Sequence, residues 1–315
     1  QWSKSNASLI NTITSTVVSP NGVSYANKLY PIGAGSNAYI RQTIAGDCFS
    51  IFVKKGERKW ILIYGGFANS NVWFDSENGV LGTIKSEATA TVESFGNDWY
   101  RIKILWTQNS TQVRIYNVDS DNSLVSTGNG TDGLYIWGAQ LEQQSYATSY
   151  IPTNGEANGV TRNQDLCNNG GSLASINSTE GVLYVEIAAL SDDLTNRVVS
   201  INDGTTNNRV SIVIGTASNQ IRGQVLSSGT SFDFSTTSYN TLNNNKIAIS
   251  YKLNDFSMWI NGTKVATDTS GNTPVGMNGI NFNAGGTILP FYGKTKAVAV
   301  WKEALSDAEL TELTT

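Results

Sequence analysis

Short stretches of alternating apolar and polar residues, broken every few positions by clusters of Gly, Asn, Asp and Ser, run through this sequence from end to end. A two-residue alternation gives an extended strand one buried and one exposed face, and the clusters supply the turns between antiparallel strands. Helical periodicity is nearly absent, which restricts the chain to an all-β fold. In the first half the pattern predicts strands at 39–43, 49–54, 60–64, 72–75, 90–94, 99–107, 112–117 and 134–141, enough for a jelly roll. A second series is predicted at 182–190, 197–202, 209–215, 220–226, 246–253, 256–260, 263–268, 279–282 and 294–301. Asn261-Gly262, set between Met258-Trp259-Ile260 and Thr263-Lys264-Val265, is the strongest hairpin signal. One helix closes the chain, with Ser306 and Glu309 as a capping box and Leu305 and Leu310 as its hydrophobic staple.

At about 150 residues per domain, 315 residues make two domains. The text between 150 and 179 turns Pro/Gly/Asn-rich, so the expected division is 1–153, a linker at 154–178, and 179–315. No repeat of 20 to 50 residues is visible, against a solenoid. The net charge is −4 and only 15% of residues are charged, which leaves no basic face for nucleic acid. There is no histidine, which removes Ser-His-Asp and Cys-His catalysis and His-ligated zinc. Cys48 and Cys167 fall in different predicted domains and match neither a zinc nor a redox spacing, so no disulfide is expected. No apolar run approaches the ~18 residues of a membrane span, so no membrane insertion is expected. The opening Gln1-Trp2-Ser3-Lys4 reads as a cut inside a longer protein.

Leu134-Tyr-Ile-Trp137-Gly-Ala-Gln-Leu-Glu142, then Ser145-Tyr146-Ala-Thr-Ser-Tyr150-Ile-Pro152-Thr153 and Val160-Thr-Arg162, resemble a phage tail-fibre and appendage family that also has likenesses among bacterial surface proteins. Phe49-Ser-Ile-Phe-Val-Lys-Lys-Gly56 and Gly96-Asn-Asp-Trp99-Tyr100-Arg101 are similar to further hallmarks of its carbohydrate-binding-module-like jelly roll. The second half resembles a laminin-G/concanavalin A-like sandwich, through Glu180-Gly-Val-Leu-Tyr-Val-Glu186, Trp259-Ile-Asn-Gly262 and the run from Tyr292 through Trp301 to Leu310. The resemblance implies two tandem antiparallel β-sandwiches, a glycan-binding or adhesive role, and a homotrimer on a virion or cell surface.

Glycoside hydrolysis needs two carboxylates about 5–9 Å apart. The Glu-x-Asp-x-x-Glu strand by which glycosidases of the concanavalin A-like fold resemble one another is missing, and Asp75/Glu77, Asp119/Asp121 and Asp192/Asp193 are the nearest acidic neighbours. The first two pairs run into Asn-Gly or Asn-Ser and read as turn caps. No cofactor is required. The oxygen-rich loops at Asp119, Asp121 and Asp203 nevertheless admit structural calcium, although Gly138 and Ala139 stand where related calcium-bearing modules carry Asp.

Glycan binding asks for flat aromatic faces flanked by hydrogen-bonding side chains. Trp60 and Tyr64 alternate with Ile61 and Ile63, Trp73 with Val72 and Phe74, and Arg114 and Tyr116 with Val113 and Ile115. The aliphatic positions suit the core, which leaves Trp60, Tyr64, Trp73, Arg114 and Tyr116 able to point outward together if their strands share a sheet. Trp99, Trp137 and Trp301 are assigned to the core. In the second domain Trp259 and Arg209 are the lesser candidates. The expected function is non-catalytic recognition of a cell-surface glycan by a fibre, receptor-binding appendage or surface adhesin, with other virion or fibre proteins as further partners. The alternatives are a structural appendage or decoration protein without glycan binding, and a glycan-cleaving enzyme.

Overall fold

A computed structural model describes residues 3–5, 10–33, 35–36, 38–153, 159–160, 170–286 and 288–315. Cys167 and most of the predicted linker at 154–178 lie outside the described residues. The chain divides into two compact units, Gln1–Arg162 and Asn163–Thr315.

The strands of unit 1 are β1 (Ser3–Ser5), β2 (Ile10–Val18), β3 (Tyr25–Pro31), β4 (Gly35–Ser36), β5 (Tyr39–Gln42), β6 (Gly46–Lys54), β7 (Trp60–Tyr64), β8 (Val72–Asp75), β9 (Val80–Ile84), β10 (Ala88–Ser94), β11 (Trp99–Ser110), β12 (Val113–Val118), β13 (Val125–Ser126) and β14 (Leu134–Glu142). Sheet I runs β1-β5-β12-β7-β8-β9 and sheet II runs β10-β11-β6-β14-β3-β2, with β13 and β4 as a small extra pair. Unit 2 comprises β15 (Glu180–Ala189), β16 (Arg197–Asn202), β17 (Asn208–Ile214), β18 (Ile221–Ser227), β19 (Thr230–Thr236), β20 (Asn245–Lys252), β21 (Asp255–Ile260), β22 (Thr263–Asp268), β23 (Gly279–Asn281), β24 (Gly293–Trp301) and helix α1 (Asp307–Thr314). Sheet III runs β22-β21-β20-β15-β24 and sheet IV runs β19-β18-β17-β16-β23. The fold is therefore nearly all β, in antiparallel sheets that form sandwich-like units and no closed barrel.

Alternation sets what each sheet buries. Ile61 and Ile63 of β7, Val72 and Phe74 of β8, and Val113 and Ile115 of β12 meet Phe49, Ile51 and Val53 of β6 and Ile102 and Ile104 of β11 between sheets I and II. Leu183, Val185 and Ile187 of β15, with Ile249, Met258 and Ile260, do the same against Val199, Ile212 and Val225 in unit 2. Gly223 of β18 lies against this packing, where an added Cβ would crowd Met258 and Ile249.

The outward faces are also apolar in part, and separate elements cover them. In unit 1, β14 bulges between Trp137 and Gln140, with Gly138 at φ +60°. The Gln140 side-chain Oε1 then accepts the Ile151 N–H at 2.8 Å, and the Glu142 carboxylate accepts the Thr148 N–H at 3.0 Å and its hydroxyl at 2.6 Å. These bonds fold the following segment back onto sheet II, where the Tyr150 ring lies 4.4 Å from Trp137 beside Phe52 and Trp99. The motif that carries the fibre resemblance is thus a docking device for its own exit segment. Trp99, assigned to the core, is buried in this cluster on the outer side of sheet II, Trp137 packs partly buried against it, and Trp106 is the tryptophan between the two sheets.

In unit 2 the cover is α1. The Ser306 hydroxyl accepts the Glu309 N–H while the Glu309 carboxylate accepts the Ser306 N–H, and Leu305 and Leu310 pack with Trp259, Trp301, Tyr184 and Val182 on the outside of sheet III. Trp301 is accordingly an outer-face residue as well. Asn261 and Gly262, both at positive φ, form the tight turn between β21 and β22. Because Leu310 is almost wholly buried against this face, Leu310→Ala is expected to cost about 2–5 kcal/mol, and Ser306→Ala about 1 kcal/mol. Urea denaturation checks both: the midpoint falls in that order, and an unchanged midpoint for Leu310→Ala would contradict the account of α1.

Candidate functional site

The outward face of sheet I brings together the five residues chosen in the first unit. Pairing places Arg114 opposite Tyr64, Tyr116 opposite Leu62 and Val118 opposite Trp60, while Leu62 faces Trp73 on the other side. Across the remaining edge of β12, Arg114 is opposite Arg41. Tyr39 precedes this position by two residues on β5 and so shares the face. Tyr39 was not selected from the sequence. Its alternation with Ile40 and Arg41 was the available signal, but the adjacency of β5 and β12 was not.

Arg114 is the centre of this surface. Its guanidinium carbon lies 4.7 Å from the Tyr39 ring centroid and 4.8 Å from that of Tyr64. Its Nε donates to the Gln112 side-chain oxygen at 3.2 Å. Tyr39 in turn packs on Tyr116, with centroids 4.9 Å apart. Burial pushes the Tyr116 phenol above its ordinary pKa, against the pull of the adjacent Arg114 guanidinium. Trp60, Tyr64 and Arg114 remain partly accessible.

Trp73 and Tyr116 do not: each is only 2% exposed, which corrects their assignment as stacking surfaces. Tyr39 and Arg114 pack on Tyr116, and the segment after β12 closes over Trp73. The Trp73 indole N–H donates to the Ser123 carbonyl at 2.9 Å, and Asp121 accepts the Thr83 N–H at 2.8 Å and the Thr83 hydroxyl at 2.9 Å, which ties the segment to β9. Gly82 makes the approach feasible, since a Cβ there would collide with the Asp121 carboxylate and the Trp60 ring. Asp119 anchors the same segment through Arg58 and through the Thr127 N–H at 2.9 Å.

The three acids considered for calcium therefore have protein donors. Asp203 accepts the Thr205 N–H at 2.8 Å and the Asn208 amide at 2.9 Å, the geometry of a turn cap. Among the described residues no group of three or more Cys, Asp or Glu is placed to hold a metal ion.

The other acidic neighbours are held in the same way. Asp75 Oδ1 accepts the Glu77 N–H at 2.9 Å, and Lys59 bridges Asp75 and Glu77 at 3.0 Å each. Burial raises the Asp75 pKa, but Lys59, Asn78 and two backbone N–H groups outweigh it and leave the carboxyl below its ordinary range. Hydrogen bonds from Lys55 and Lys59 lower Glu77 too. A glycosidase acid must be protonated at its working pH, and both of these carboxyls are held ionised. Asp192 accepts from Ser218 and Asn219, and Asp193 pairs with Arg197.

In unit 2 Trp259 is 5% exposed beneath α1, with the Lys264 ammonium 5.6 Å from its ring centroid. It is a packing residue, which corrects its selection as a ligand contact. Arg209 is partly buried on the outward side of β17, opposite Asn202, and its Nη1 donates to the Thr206 carbonyl at 2.8 Å.

No family model matches the sequence, and no curated protein matches it. Among solved structures, the carbohydrate-binding module CBM40 of the Ruminococcus gnavus IT-sialidase bound to α2,3-sialyllactose is similar at 16% identity and a TM-score of 0.38, covering 44% of this chain and 84% of that one. The same module bound to α2,6-sialyllactose is similar at 17% identity and TM-score 0.37, covering 46% and 92%. A candidate carbohydrate-binding protein from Bacteroides ovatus is similar at 11% identity and TM-score 0.34, covering 98% and 80%. At these values the assignment of a ligand rests on the side chains described above.

Two outcomes are expected. Trp73→Ala removes a wholly enclosed side chain and costs about 3–5 kcal/mol, whereas Trp60→Ala costs less than half as much; equal losses in urea denaturation would contradict the covering of Trp73. Asp75 and Glu77 have folded pKa values below their unfolded ones, so their contribution to stability is present above about pH 4 and is lost as the pH falls through the lowered values. Asp75→Asn should therefore flatten the loss of stability between neutral and acid pH, and urea midpoints with the same pH dependence as the parent would contradict it.

Proposed function

We propose that unit 1 binds a glycan without cleaving it, on the part of sheet I that the 119–125 segment leaves open. The observation that carries this reading is the Arg114 guanidinium held between the Tyr39 and Tyr64 rings on an outward sheet face. Stacking fixes the guanidinium plane and leaves its in-plane N–H edge for hydrogen bonds. Sugar rings offer an apolar face for aromatic contact and hydroxyl or carboxylate oxygens for such an edge. The arrangement is already ordered by its own packing, so little entropy is lost when a ligand arrives.

Non-catalytic binding fits the acids described above, which are committed to lysines, arginines and turn N–H groups. In the setting that the sequence resemblance implies, the chain belongs to a phage fibre or bacterial surface appendage, and a homotrimer would multiply a weak single site by avidity. The reading requires no cofactor.

A glycan array probed with the chain displayed multivalently, with and without calcium, tests the proposal beside Arg114→Ala and Tyr64→Ala. Each variant is expected to lose about tenfold or more in affinity while its circular dichroism is unchanged, the loss set by removing a charge-assisted hydrogen bond or a stacking face. Binding that survives both substitutions would overturn the assignment of the site. Failure to bind any glycan would favour the structural-appendage reading.

A further inference from the structure

Unit 2 contains a concavity of about 240 Å³ between the loops that follow β16 and β23, lined by Asn202, Gly204, Asn281, Asn283, Gly285 and Gly286. Its two walls are fastened together. The Asn278 N–H donates to the Asn202 carbonyl at 3.0 Å and the Gly286 N–H to the Gly204 carbonyl at 3.1 Å. Arg209 adds a cross-tie from Nη1 to the Thr206 and Ala284 carbonyls, at 2.8 and 3.4 Å. Ala284 packs onto Val198 and Val213, which seats the second loop on the outside of sheet IV.

The floor is an ordered amide network. Asn202 is fully buried; its Nδ2 donates to Ser200 Oγ at 2.8 Å, and its Oδ1 accepts the Gly204 N–H at 2.8 Å and the Asn281 Nδ2 at 3.1 Å. Asn283 Oδ1 accepts the Gly285 N–H at 2.8 Å. These bonds fix which end of each amide is committed inward. Among the described residues, the Asn283 Nδ2 and the Asn281 Oδ1 have no hydrogen-bond partner, which leaves one donor group and one acceptor uncommitted on residues that line the cavity. Gly204 and Gly286, both at positive φ, have nothing within 4 Å of the place a Cβ would occupy, so side chains there would fill open space.

A neutral set with both a donor and an acceptor suits hydroxyl groups, which are both at once. No carboxylate or ammonium is among the lining residues, so nothing here would repay the desolvation of an ion. The volume is below the roughly 300–1,000 Å³ of a site for a drug-sized ligand, and it is of the order of one sugar ring. We propose that this concavity is a second binding site, independent of the Arg114 surface, which takes a single uncharged sugar residue through the side-chain amides of Asn281 and Asn283. Arg209 acts as a positioning residue that holds the loops in register.

Amide-resolved NMR of the full chain, titrated with methyl glycosides of a neutral hexose, an N-acetylhexosamine and a hexuronic acid, tests the proposal. Expected are shifts at Gly204, Gly285, Gly286 and the Asn283 side-chain amide with a neutral glycoside. They should weaken by about tenfold or more in apparent affinity in Asn283→Ala, as the loss of a hydrogen-bonding group predicts, and persist in Arg114→Ala. The amide spectrum of each variant reports whether it is folded. No shift at these positions with any neutral glycoside would overturn the proposal, as would unchanged affinity in a folded Asn283→Ala or a response to the uronic acid alone.

Discussion

Each of the four large sheets has to bury more than one face. A two-residue alternation normally gives a sandwich sheet one apolar side and one wet side, yet here the outward sides carry Trp73 and Tyr116, Phe52 and Trp99, Trp259 and Tyr184, and Val198 and Val213. Each needs a cover that the sandwich does not provide. The covers come from chain outside the four large sheets: the 119–125 segment, the 143–151 exit segment, the helix α1, and the loop holding Ala284. Polar devices fix all four in place, and much of the hydrogen bonding among Asp, Asn, Gln, Ser and Thr serves that purpose.

The two proposed binding surfaces lie where the covers end. On sheet I the 119–125 segment closes over Trp73, while Arg114 and Tyr64 stay partly accessible beside the buried Tyr39, against which the guanidinium packs. On sheet IV the Ala284 loop closes over two valines, and the concavity opens at its margin, where asparagines and glycines replace apolar residues. Neither needs a titrating group, which agrees with a chain that has no histidine and whose Asp75 and Glu77 carboxyls are held ionised.

The core was legible because it obeys the alternation. Ile61, Ile63, Val113 and Ile115 were assigned inward from sequence and lie there. The capping box at Ser306 and the Asn261-Gly262 turn were legible because each is local. Strands β2 and β3 escaped notice because Asn and Thr dilute their pattern, and Ile13 and Val18 of β2 are exposed. The candidate face was correctly gathered from Trp60, Tyr64, Trp73, Arg114 and Tyr116, but its covering was not foreseen. Whether an outward Trp is open or capped depends on a hydrogen bond from its indole to Ser123, fifty positions away. Such contacts are not encoded in any spacing, and the same limit hid Tyr39 and placed Trp259 under a helix. Of the two acidic pairs read as turn caps, Asp75 caps its own turn as its neighbours indicate, whereas Asp119 and Asp121 bond mainly across the fold, to Arg58 in the loop before β7 and to Thr83 on β9, partners that no local spacing reveals.

The most direct test of the central claim is a crystal structure of the chain with the strongest-binding glycan from an array. The account predicts a sugar ring against Tyr64, with one of its oxygens within hydrogen-bond distance of the Arg114 guanidinium and the 119–125 segment still closed over Trp73. A sugar bound on any other face of unit 1, or a segment displaced to expose Trp73 to the ligand, would contradict it.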